Sequence, residues 1–189
     1  MTRLPLRTIE DAPDDAKPRL VAAEKSNGFL PNLVRLLANA PVALDAYQTL
    51  GAINARASLT LAEREAVQIT AATVHGCGFC VAGHTALAYK QAGLLEDVVA
   101  PLREGAHGPD AGLNAVADFT RAVIRSRGAV EGDELAAFRA AGFTDAAALE
   151  VVLGVSLATL CNFANNLGQP ALNPQLEPFA WHKSAQAAE

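Results

Sequence analysis

From residue 60 to residue 168 the chain is a succession of helix-period runs, each closed by glycine. Gly76, Gly93, Gly105, Gly128, Gly142 and Gly168 stand at the ends of apolar runs that repeat at i, i+3 and i+4. No run alternates with the period of two that a half-buried strand needs. The β-branched stretch "VVLGV" at 151–155 lies inside a longer helical period. The expected fold is therefore all-α. Few aromatics and abundant alanine suit closely packed helices.

Ahead of these runs, "LPLRTIEDAPDDAKPRL" is a proline-punctuated arm over about residues 1–25, with a short helix expected at 16–25. Pro31 suits the first turn of one helix, and Pro41 ends it and opens the next, through Leu44, Tyr47 and Leu50. In "TLAE", Thr60 and Glu63 form a capping box that starts a helix of about 15 residues. A new helix is expected from about Cys77 to Gly93, and others at 94–103, 110–127, 133–141 and 145–167. The expected organisation is a single domain over 1–189 with a tail from about 170.

The balance of 15 basic against 20 acidic side chains gives a formal charge of −5, without Lys/Arg clusters. That argues against a nucleic-acid partner. No unbroken apolar run reaches the roughly 18 residues of a membrane span. The N-terminus has no signal-peptide pattern, so the expected location is the cytoplasm. Three cysteines in a reducing compartment do not make a disulfide scaffold.

Two of those cysteines stand together in "VHGCGFCVAGHT". On one helix, Cys77, Cys80 and His84 fall within a narrow arc. Cys77 lies in the first turn, where free N–H groups and the helix dipole favour a thiolate. His84, four residues beyond Cys80, is placed to take a proton from a thiol. Glu65 lies on a largely apolar stripe of the preceding helix, either as a buried proton acceptor or as a solvated carboxylate near a helix start. Haem attachment requires a histidine where Val81 stands. Structural zinc requires two further ligands beyond the cysteines. A thioredoxin-type site requires a strand before the motif. A thiol redox pair, an inert packed pair and a zinc site that takes His84 and one further ligand remain.

A faint repeat at an offset of 85 residues lays Glu65 over Glu150 and turns Cys77, Cys80 and His84 into Asn162, Asn165 and Gln169. Cys161 reads as a small core residue and His107 as a solvated loop residue. The tail "QPALNPQLEPFAWHKSAQAAE" suits docking on its own or a neighbouring subunit.

The spacing Glu65, Cys77, Cys80, His84 resembles the alkylhydroperoxidase D-like motif of the carboxymuconolactone decarboxylase superfamily. "FLPNLVRLLANAP", "TLAERE" and "NFANNLGQPAL" are similar to the family's flanks, so that the resemblance covers about residues 25–175. It implies a helical fold that assembles into a homo-oligomer, a trimer or a hexamer. It also implies a thiol peroxidase or disulfide reductase that needs no haem, flavin or metal cofactor. The implied partners are a small organic hydroperoxide and an external dithiol reductant or reductase protein. Carried over, Cys80 is peroxidatic, Cys77 resolving, and Glu65 with His84 a proton relay. The sequence departs from the pattern at Phe79, where the best-studied members carry a histidine. The alternatives are a non-catalytic, redox-sensitive oligomeric binding protein and a decarboxylase-like enzyme acting on a small carbonyl acid.

Overall fold

The computed structural model describes residues 2–182. Among the described residues, nine α-helices follow a short 3-10 turn at Asp14–Ala16. They are α1 (Lys17–Asn27), α2 (Asn32–Leu37), α3 (Pro41–Asn54), α4 (Leu61–Val74), α5 (Gly78–Lys90), α6 (Glu96–Glu104), α7 (Ala111–Ser126), α8 (Gly132–Ala140) and α9 (Asp145–Gly168). A second 3-10 turn, Pro174–Phe179, lies against α5. The described residues contain no strand.

The core is arranged around α4. Its eight consecutive residues from Glu65 to Ala72 are all buried, so this helix has no solvent face. It packs against α5, α7 and α9. Such enclosure is possible because its neighbours come close. Ala66, Ala71 and Ala72 supply small surfaces, and on α9 a Cβ at Gly154 would stand 2.9 Å from Cγ1 of Val67. Gln68, polar like Glu65 and Thr70 in this run, donates from Nε2 to the Gly154 carbonyl at 2.9 Å. At the start of α4, Thr60 and Glu63 form the reciprocal capping box that their spacing predicts, a contribution of about 1 kcal/mol.

Two apolar regions flank α4. One is closed by α7 and α8, where Phe119, Phe138 and Phe143 stack with centroids 4.3 and 4.5 Å apart. The other gathers Leu20, Leu33, Leu44, Val81 and Leu157 around the cysteines. The arm lies along this second region. Arg35 donates to the carbonyls of Leu6 and Arg7, and the Arg3 N–H reaches the Gly168 carbonyl at the end of α9.

The expected helices are all present, within a few residues at their ends. Pro31 sits one position earlier than expected, as the N-cap of α2. Gly168 does not close its helix by its own conformation. Gln169 takes the left-handed cap at φ 48°, while a Cβ at Gly168 would meet the Leu36 side chain at 2.6 Å. With 24 residues and mean hydropathy 1.7, α9 has the length and composition of a membrane span, although charged and polar residues interrupt its apolar run. It packs against α2, α3, α4, α5 and α7, which is the setting of a core helix.

Replacing Gly154 by Leu drives a side chain into Val67, which has no room to yield. The expected cost is about 2 kcal/mol, read as a fall in Tm of roughly 5 °C. An unchanged Tm would show that the α4–α9 approach is not tight.

Candidate functional site

The break between α4 and α5 builds the site. Gly76, at φ 67°, takes the left-handed conformation that turns the chain, and the next helix starts two residues later. Cys77 is its N-cap, and its sulfur accepts the backbone N–H of Cys80 at 3.4 Å. Gly78 is glycine because the tail crosses there: an added Cβ would lie 2.9 Å from the Trp181 carbonyl. Trp181 is held in turn by its indole N–H on the Arg103 carbonyl, 2.9 Å, while Arg103 donates to Ala180 at 2.8 Å. The tail thus docks on its own chain as far as residue 182; residues 183–189 lie outside the described part.

Both thiols are free and buried, Cys77 1% and Cys80 5% exposed. They hydrogen-bond to each other, and that bond, the Cys80 N–H, the Asn165 amide and His84 together hold Cys77 below the ordinary thiol range against the opposing effect of burial. Cys80 is pushed well above it, by its bond to Cys77 and by burial. Of the two, Cys77 is the thiol that gives up its proton more readily, and the helix start favours the charge there. Cys77 also lines a cleft of about 390 Å³ with Gly76, Phe79, Asn165 and Gln169.

Glu65 is buried, 5% exposed, in the middle of α4. Its Oε2 accepts a hydrogen bond from His84 Nδ1 at 2.7 Å. Of the two settings open to Glu65 from the sequence, the structure takes the buried one. The His84 side chain keeps 26% of its surface exposed. Burial lowers the His84 pKa, but the Glu65 carboxylate and the Cys77 charge outweigh it, and the net shift is upward.

All four expected site residues converge. Three further groups were not assigned from the sequence. Asn165 donates from Nδ2 to the Cys80 sulfur at 3.1 Å. Cys161, one turn earlier on α9, belongs to the same buried cluster, and burial plus the Cys77 charge push its thiol up to about 12. Tyr47 packs against that cluster, its phenol raised by burial and by Cys161 and Cys80. Only Asn165 had a signal: the offset of 85 residues pairs it with Cys80. Cys161 and Tyr47 reach the site by tertiary folding alone. His75 stands apart, edge-on to Phe163 at 5.0 Å. His107 is more than a solvated residue, since it bonds Asp118 at 2.9 Å. Among the described residues no group of three His, Cys, Asp or Glu side chains is placed to hold a metal.

This helical frame, with its thiol pair at a helix start, is the alkylhydroperoxidase D-like fold. Residues 41–131 match the model of the Carboxymuconolactone decarboxylase family. Among solved structures it is similar to the alkylhydroperoxidase AhpD core of a peroxidase-related protein from Ralstonia eutropha JMP134. The two share 23% identity over 93% of this chain and 94% of that one, with a TM-score of 0.83. A peroxidase-related protein from Silicibacter sp. TM1040 is 18% identical over 92% of both chains, TM-score 0.78. The debrominase Bmp8, as a cysteine-to-alanine variant with 2,3,4-tribromopyrrole, is 17% identical over 95% of this chain and 96% of that one, TM-score 0.77. No curated protein matches the sequence.

Because the folded His84 pKa is raised, its contribution to stability is complete below the unfolded value of about 6.5 and is lost as pH rises through the folded one. Urea unfolding of the reduced protein and of Glu65→Gln at pH 6, 7, 8 and 9 tests this. The stability advantage of the unaltered protein should shrink with rising pH; an advantage that stays constant would remove the pair from the account.

Proposed function

We propose that the protein is a thiol-dependent hydroperoxide reductase in which Cys77 and Cys80 cycle between dithiol and disulfide. The observation that carries the reading is the junction of two features: a readily ionised cysteine at the wall of a cleft, and a carboxylate–imidazole pair on the same helix pair.

In the first step the Cys77 thiolate attacks the terminal oxygen of the hydroperoxide. The O–O bond breaks, the sulfur becomes a sulfenic acid, and the departing alkoxide takes a proton to leave as an alcohol. In the second step the Cys80 thiol loses its proton, attacks the Cys77 sulfur and releases water, forming the Cys77–Cys80 disulfide. His84, four residues beyond Cys80 and backed by Glu65, is the proton carrier for both steps. An external dithiol, small or carried by a reductase protein, then returns two electrons by thiol–disulfide exchange. The resemblance gives the first attack to Cys80. We assign it to Cys77, because the helix start stabilises charge there and the cleft reaches it.

The structures similar to this chain include both peroxidase-related proteins and a debrominase, so the oxidant has to be tested rather than inherited. The reading includes a reducing, cytoplasmic setting, in which both thiols stay free. It also includes the expected homo-oligomer, which the exposed Leu149, Val152, Phe163 and Leu167 of α9 support. Light scattering should then give a multiple of the chain mass.

One equivalent of cumene hydroperoxide should remove two thiols per chain. In Cys80→Ser a sulfenic acid should persist and be trapped by dimedone on Cys77, whereas Cys77→Ser should yield no adduct. Glu65→Gln should slow turnover by about a hundredfold. An adduct on Cys80 in Cys77→Ser would return the attack to Cys80. No thiol loss at excess peroxide would favour the binding protein, and turnover of a lactone acid by a double serine variant would favour the decarboxylase.

A further inference from the structure

Asn165 is 3% exposed and lies on the buried face of α9, a helix otherwise apolar at its centre. Its amide has two ends with different fates. Nδ2 donates to the Cys80 sulfur at 3.1 Å. Oδ1 is buried and has no donor among the described residues. A buried acceptor left without a partner costs free energy on the order of 1–3 kcal/mol, and reversing the amide would not remove the problem. With Nδ2 donating to the Cys80 sulfur, Oδ1 is the end left over. The same residue lines the cleft beside Cys77.

We propose that Asn165 is the substrate-positioning residue of the thiol pair, its Nδ2 holding the sulfurs and its Oδ1 receiving the O–H of a hydroperoxide. This rests on the peroxidase reading and specifies its substrate contact. A hydroperoxide carries one hydrogen-bond donor, on its terminal oxygen. That oxygen and its hydrogen pass together to sulfur when the O–O bond breaks, so the terminal O–H of the substrate becomes the O–H of the Cys77 sulfenic acid. One fixed acceptor beside the sulfur therefore serves the same hydrogen before and after the attack. It is released when Cys80 displaces the oxygen as water. Asn162, three residues earlier on α9 and also buried, has its own unpartnered Nδ2.

The test compares two oxidants of the thiol pair: cumene hydroperoxide, which presents an O–H, and diamide, which has none. Single-turnover rates are read at matched thiolate fraction, set from the thiolate absorbance at 240 nm as a function of pH. In Asn165→Leu the hydroperoxide rate should fall tenfold or more while the diamide rate stays within about threefold. The thiolate titration should also move upward. Asn165→Asp keeps an acceptor and loses a donor. Its titration should move upward too, yet its ratio of hydroperoxide to diamide rates should remain near that of the unaltered protein. This second variant stands in if the Leu variant does not fold. Equal loss with both oxidants, or no loss with either, overturns the proposal, as does an Asp variant with the ratio of the Leu variant. If the unaltered protein reacts with diamide but not with hydroperoxide, the peroxidase reading itself fails and the substrate contact with it. That failure shows in the unaltered protein before any variant is made.

Discussion

The hydrogen bond between Glu65 and His84 is the constraint from which the site follows. A carboxylate in the middle of an enclosed helix is costly unless something replaces the water it has lost. Here the replacement is one imidazole at 2.7 Å, supplied by the next helix. Buried pairs of this kind contribute little net stability, since desolvation offsets most of the attraction. A hydrophobic pair of similar volume would hold α4 to α5 as well. What the ionisable pair adds is a proton position that continues from the core to a partly exposed ring. The α4–α5 junction thus serves chemistry at small benefit to the fold.

Charge around the sulfurs is tightly rationed. Cys77, Cys80, Cys161 and the Tyr47 phenol all lie in or against one buried cluster. Each negative charge there raises the pKa of its neighbours, and burial raises the pKa of all of them. The outcome is that Cys77 ionises most readily and the others hold their protons more tightly. Cys77 is favoured because the Cys80 side chain bonds to its sulfur and because it alone sits at the helix start, with a backbone N–H on that sulfur. Cys161, held at about 12, remains a thiol under ordinary conditions. A third sulfur can therefore stand near the pair without competing for the charge.

Local signals carried most of the fold. Thr60 with Glu63, Pro41 and the closing glycines are short-range devices, and each sets a boundary through its own backbone chemistry. The site was legible where it is also local: Cys77, Cys80 and His84 lie within eight residues, and helical spacing alone puts them on one face. Glu65 was ambiguous because periodicity places a residue on a face but does not say what covers that face. Tyr47 and Cys161 left no trace, since α3 and α9 meet α5 only through the packing of the whole chain. Gly168 gives the opposite lesson. Its place at a helix end suggested a left-handed cap, yet Gln169 takes that conformation and Gly168 makes room for Leu36.

The offset of 85 residues acquires a physical meaning in the folded chain. The first copy breaks at Gly76, and the break creates the N-cap that charges Cys77. The second copy has no glycine at the equivalent position and continues as one straight helix. Asn162 and Asn165, which replace the two cysteines, consequently remain in a helix interior with their backbone groups already paired. Their side chains are left to face across. The pairing of Cys80 with Asn165 in sequence becomes a contact of 3.1 Å in space. Glu150, the counterpart of Glu65, turns instead to the loop before α4 and accepts from Ser58 and Leu59. A broken copy that holds the reactive groups and an unbroken one that supports them make an asymmetric site. That asymmetry follows from two glycines, because a continuous α4–α5 helix would leave Cys77 with no free N–H to receive its charge.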